Sequence, residues 1–222
     1  MSLSIGGSFS LLQAKTLNRH ITSNFEVPAG SLSVISIGTV IIWIVFYDRV
    51  LIPLASKIRG KQVKISAKKR MGVGLFLSFL YSVSAATFET IRRRNANDGV
   101  LEMSALWLAP QLCLAGISEA VNFIGQNEFY YTEFPSTMSS VAASLSGLGM
   151  AAGTLVSSLL FSIVENTTSR GGKDGWISDD INKGHFDKYS WLIAGVSALN
   201  ILYYLVCSWV YGPAVEELSK DY

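Results

Sequence analysis

Glu119, Asn122 and Gln126 are spaced three and seven residues apart inside an otherwise apolar run over 104–131. At 3.6 residues per turn those offsets are rotations of about 300° and 700°, which put the three side chains on one face of a helix. A carboxylate near the centre of a bilayer costs roughly 2.5–3.5 kcal/mol on insertion scales, so it must face protein or water, usually beside a cation. Burial also raises a carboxylate pKa, which makes reversible protonation the chemistry this residue type can perform there. The stripe therefore lines a water-filled path or a helix interface, and the sequence leaves both readings open.

Other candidates are weaker. Gln13 stands on a short apolar segment near the N-terminus and is a candidate for the same cavity. Asp48 and Arg49 follow an apolar run ending at Tyr47, with Pro53 one turn later. Such a pair at a helix end can latch one helix to another or simply be solvated, since an exposed ion pair is worth no more than about 1 kcal/mol. His20 and His185 fall in expected loops. No Ser/His/Asp set, phosphate-cradling glycine loop or metal-ligand spacing is found, so neither an enzyme, a cofactor nor a metal site is expected. Cys113 and Cys207 lie in apolar windows and read as small buried hydrophobes.

These residues need a membrane to make sense of them. Of the 222 residues, 50% are hydrophobic and 15% charged, with a mean hydropathy of +0.36; a soluble domain needs more surface charge. A helix crosses about 30 Å of hydrocarbon with roughly 20 residues. Five spans are expected, over 32–55, 71–91, 104–131, 137–164 and 190–211, preceded by a partial helix over 1–17. No secretory signal is expected at the N-terminus. The chain reads as an all-α, multi-pass membrane protein whose first partner is the lipid bilayer, and nucleic-acid binding is not suggested.

Lys57, Arg59, Lys61, Lys64, Lys68, Lys69 and Arg70 crowd the 57–70 loop without an acid among them, which makes it cytoplasmic by the positive-inside rule. Alternation then places 165–189 outside, where Asn166-Thr167-Thr168 forms a glycosylation sequon. Arg92, Arg93 and Arg94 on the expected outer side argue the other way. Small residues recur every four positions at Gly74, Ser78, Ser82 and Ala86, and again at Gly149 and Gly153. Helices in lipid approach closely through such ladders, so these residues are assigned to packing.

Several strings taken together carry a resemblance. They are Tyr47-Asp48-Arg49 with Pro53, Ser118-Glu119-Ala120 through Gln126 to Glu128-Phe129-Tyr130, and Gly175-Trp176 with Asp179-Asp180-Ile181-Asn182-Lys183-Gly184-His185-Phe186-Asp187 leading to Tyr189 and Trp191. Leu11-Leu12-Gln13-Ala14 and 25–32 (Phe25 to Leu32) belong to the same pattern. The chain resembles the C-terminal half of the plant nitrate and peptide transporter family, a branch of the proton-dependent oligopeptide transporters within the major facilitator superfamily.

The resemblance implies the C-terminal six-helix bundle of a twelve-helix transporter, with its first helix truncated, that couples protons to solute movement by rocking two bundles about a midplane site. Glu119 then matches the tenth-helix glutamate that faces the central cavity and can pair with a lysine on helix four. That lysine and the coupling glutamates of helix one belong to the N-terminal bundle, which this sequence lacks. The expected function is half of a proton-coupled importer of nitrate, short peptides or a related small solute, inactive without the N-terminal bundle or a full-length relative. The alternative is a truncated, non-transporting protein that modulates a full-length transporter. The plasma membrane is the first expectation for its location and the vacuolar membrane the second.

Overall fold

The computed structural model describes residues 13–14, 17, 20–22, 25–60, 66–97, 104–169, 175–176 and 184–211. The expected partial helix over 1–17 lies outside these residues except at Gln13, Ala14 and Leu17, as do 61–65 of the basic loop and 177–183 of the outer string. The first described ladder is a short antiparallel pair, β1 (His20–Thr22) with β2 (Phe25–Glu26), in which His20 faces Glu26. Among the described residues, the elements that follow are helices.

A 3-10 turn at Ala29–Leu32 leads into α1 (Ser33–Phe46), a π-helical turn at Tyr47–Leu51, and α2 (Ile52–Arg59). Pro53 is tolerated because it sits in the first turn of α2, where its missing N–H costs little. Gly60 ends α2 in the left-handed region at φ 64°, a conformation that glycine adopts without a Cβ penalty. Then come α3 (Ala67–Asn97), α4 (Ala109–Glu133), α5 (Ser139–Thr168) and α6 (Phe186–Tyr211). A 3-10 turn at Ala105–Leu108 precedes α4, capped by Ser104, whose hydroxyl accepts from the Leu106 N–H at 3.3 Å.

Among the described residues five stretches are long and apolar enough to cross a membrane: Ala29–Ile58, Ala67–Asn95, Ala105–Glu133, Ser139–Thr168 and Phe186–Val210. They are not equally covered. α3 packs along both α4 and α6, α1 packs on α4, and α5 leans on α4 over a smaller area. Apolar side chains of α1, α5 and α6 remain on the outside, as at Ile42 (70% exposed), Leu148 (68%) and Trp209 (84%). An apolar exterior of this extent fits lipid or further helices, and not water.

α3 runs on through Arg92, Arg93 and Arg94 to Asn97, so the arginines expected to open the outer loop are helical. Cys113 is half-buried and accepts from the Thr39 hydroxyl at 3.5 Å, whereas Cys207 is exposed on α6 and is not buried within this chain.

Candidate functional site

α4 carries the polar stripe, and its two sides differ. Ser118 is fully buried, with its hydroxyl donating to the Ala115 carbonyl at 2.9 Å, and Ala120 is 3% exposed. Glu119 between them is exposed, and no hydrogen bond or ion pair involves it among the described residues. It lies near the middle of α4. Phe123, one turn on, is also exposed. The carboxylate therefore projects from the half of α4 that neither α1 nor α3 covers.

Asn122 turns the other way. Its amide donates to the Ser78 hydroxyl of α3 at 2.9 Å, so it joins two helices and is not on the open face with Glu119. Gln126 is half-buried beside α5, with its Nε2 3.6 Å from the place a Cβ on Gly149 would occupy. The stripe thus divides into an open carboxylate, an α3 contact and an α5 contact.

The small-residue ladder of α3 meets both neighbours. A Cβ on Gly74 would fall 2.5 Å from Asn122 Oδ1 and 2.9 Å from its backbone nitrogen. Ser82 donates to the Ser78 carbonyl at 3.0 Å and lies 3.3 Å from the Ser197 hydroxyl of α6, and Ala86 is fully buried. Two glycines outside the expected ladders also meet close neighbours. A Cβ on Gly116 would fall 2.5 Å from the Ser36 carbonyl oxygen of α1, and one on Gly125 3.0 Å from the Met71 nitrogen. Gly149 and Gly153 lie on the less covered α5, and Gly149 is exposed.

At the end of the bundle near the basic loop, Arg70 ties three elements together. It is ion-paired with Glu128 of α4, donates to the Tyr47 hydroxyl at 2.9 Å and holds its guanidinium 5.0 Å from the centre of the Tyr47 ring. Tyr47 belongs to the π-helical turn. Asp48 and Arg49, the expected latch, follow it on that turn, exposed and outside any ion pair among the described residues. Arg70, hidden in the sequence among its basic neighbours, is a cation at this helix end that reaches a carboxylate.

At the opposite end Glu89 is 1% exposed. Arg92 clamps it from one turn along α3, with Nε at 3.0 Å from Oε2 and Nη2 at 2.7 Å from Oε1. Gln13 adds Nε2 at 2.8 Å from Oε2. Gln13 is thereby fully buried against α3. Nearby, Arg93 pairs with Asp187 of α6 at 2.6 Å, with the His185 ring 4.0 Å from the same carboxylate. Burial first, then the charges of Arg93 and Lys188, hold the His185 pKa below its ordinary value, against the opposite pull of Asp187. Among the described residues no three His, Cys, Asp or Glu side chains are grouped to hold a metal ion.

Comparison with known proteins adds the family. Residues 3–177 match the model of the POT family. Protein NRT1/ PTR FAMILY 1.2 of Arabidopsis thaliana is 48% identical over 224 residues, covering 96% of this chain and 37% of the relative. Protein NRT1/ PTR FAMILY 1.1 of the same plant is 49% identical over 232 residues, covering 100% and 39%. The chain spans well under half the length of these relatives. A crystal structure of an auto-inhibited POT family peptide transporter superposes with a TM-score of 0.72 at 21% identity, over 92% of this chain and 37% of that one.

Proposed function

The chain belongs to the POT family, and from that premise we propose that it forms the C-terminal bundle of a proton-coupled secondary transporter, with Glu119 as the carboxylate that loads and releases the proton. The observation that carries this reading is a contrast among carboxylates in the spans. Glu89 is clamped by Arg92 and Glu128 by Arg70, so each is neutralised where it stands. Glu119 alone of these three, at mid-helix, faces away from the bundle and has no cation beside it among the described residues. A charge at that depth needs a partner or a proton. A second bundle closing over this face would supply a cation and leave protonation free to switch the pair.

The solute is a small anionic or zwitterionic molecule, nitrate or a short peptide, as the resemblance implies, and the superposed neighbour is a peptide transporter. Its site lies between the two bundles, so this chain supplies half of it and transports only when the complementary bundle or a full-length relative is present. The plasma membrane is the first location to examine, and the vacuolar membrane the second. The reading is tested by reconstituting the chain with and without the N-terminal bundle of a full-length relative and measuring solute uptake driven by a pH gradient. Uptake by the pair and none by the chain alone is expected, and uptake by the chain alone contradicts it.

A further inference from the structure

We infer that Gln111 of α4 and Glu89 of α3 hold a water molecule between them, at a site inside the bundle that does not involve Glu119.

Three observations carry it. The first is the amide of Gln111. The residue is 4% exposed, and neither its Oε1 nor its Nε2 has a hydrogen-bond partner among the described residues. A buried amide that gives up water without gaining a bond is destabilising at both atoms, so buried amides are found bonded to protein or to ordered water. Leu108 and Leu112 on either side of it are buried too, so the side chain has no open path to solvent along its own turn.

The second is the register of the two helices. α3 and α4 run antiparallel, since Met71 meets Gly125 whereas Ser78 accepts the 2.9 Å bond from Asn122. Gln111 lies eleven residues before Asn122, and Glu89 lies eleven residues after Ser78. Eleven residues are three turns plus about 20°, so both residues return to the same seam about 16 Å further along. Between the two pairs, Ala115 and Ser118 of α4 and Ser82 and Ala85 of α3 are all buried, as helices in continued contact require. Gln111 thus stands to Glu89 as Asn122 stands to Ser78, but without the direct bond.

The third is the capacity of the carboxylate. Oε2 of Glu89 accepts from Arg92 Nε at 3.0 Å and from Gln13 Nε2 at 2.8 Å, and Oε1 accepts from Arg92 Nη2 at 2.7 Å. A carboxylate oxygen accommodates about two donors, so Oε1 takes one more. An anion there would be repelled by Glu89 and a cation by Arg92. A water molecule accepts from Gln111 Nε2, donates one O–H back to the oxygen of the same amide and gives the other to Glu89 Oε1. Three bonds are the usual number for a buried water. The seam is then clasped directly at Ser78 and through water at Glu89, where the start of α4 can shift by exchanging bonds with the water.

The test is X-ray radiolytic footprinting of the full chain in lipid nanodiscs, with the solvent enriched in oxygen-18. Hydroxyl radicals formed from a bound water oxidise the side chains beside it, even where bulk water does not reach. Phe88 and Leu112, at 8% and 6% exposure, are the reporters beside Glu89 and Gln111, and Val121 of α4, at 7%, is the dry control. After correction for intrinsic reactivity, both reporters should be modified about tenfold faster than Val121 in the parent, and Gln111→Leu should slow both to the control rate. If Gln111→Leu does not fold, the contrast with Val121 in the parent decides. Reporters as protected as Val121 in the parent overturn the inference, and so does equal modification of the parent and Gln111→Leu, which would show that bulk water reaches the seam.

Discussion

Asn122 of α4 donates a 2.9 Å hydrogen bond to the Ser78 hydroxyl of α3, and this holds its amide so close to Gly74 that a Cβ there would lie 2.5 Å from Asn122 Oδ1. Two helices approach through a missing side chain on one and a polar clasp on the other, the arrangement that lipid favours because hydrophobic burial offers no net drive between helices.

Gly74→Val is expected to destabilise the bundle by about 1–3 kcal/mol or more, as overpacking does, because the clash includes the Asn122 backbone nitrogen at 2.9 Å as well as the side chain. Gly149→Ala is the control, since its nearest neighbour would be Gln126 Nε2 at an ordinary 3.6 Å. Unfolding in mixed micelles should separate the two, and equal midpoints would remove Gly74 from the interface.

Arg70→Ala should loosen the α3–α4 end near the basic loop by about 1–3 kcal/mol, the range for removing a partly buried, charge-assisted partner. Tyr47→Phe should cost less than about 1 kcal/mol, because the ring beneath the guanidinium survives and one hydroxyl acceptor is lost. A double-mutant cycle between Arg70 and Glu128 checks the pair, and additive effects of the two single changes would show that they do not interact.

His185 should titrate below 6.5, since burial and the charges of Arg93 and Lys188 oppose its protonation. With the folded pKa depressed, the protonated ring favours the unfolded chain. The stability at stake is present above pH 6.5 and is lost as pH falls through the folded value, and it is small because the side chain is 42% exposed. Lys188→Gln should raise the pKa in an NMR titration, and no movement would remove Lys188 as a cause.

How much of this is legible in the sequence depends on contrast. Glu119 stands out because a lone acid interrupts an apolar run, and the five spans are read from composition alone. Glu89 does not stand out, for it sits where its span turns polar and beside three arginines that look like a solvated helix end. Only the distant Gln13 and the buried Arg92 distinguish it. Arg70 is lost among the other basic residues of its loop in the same way, because its partner Glu128 is 58 residues away. The ladder from Gly74 to Ala86 follows from periodicity, but which glycines pack most tightly does not. Gly116 and Gly125 are singled out by the crossings of α1 and α3 over α4, which no local pattern encodes.

Whether Glu119 carries the coupled proton is decided most directly by solute-driven proton flux in proteoliposomes holding this chain with the complementary bundle, with and without Glu119→Gln. The substitution is expected to abolish proton movement coupled to solute while leaving the helices of this chain folded, because Glu119 makes no hydrogen bond or ion pair among the described residues. Undiminished coupled flux in the Glu119→Gln variant would contradict the proton-carrying role and make Glu119 a residue of the bundle interface.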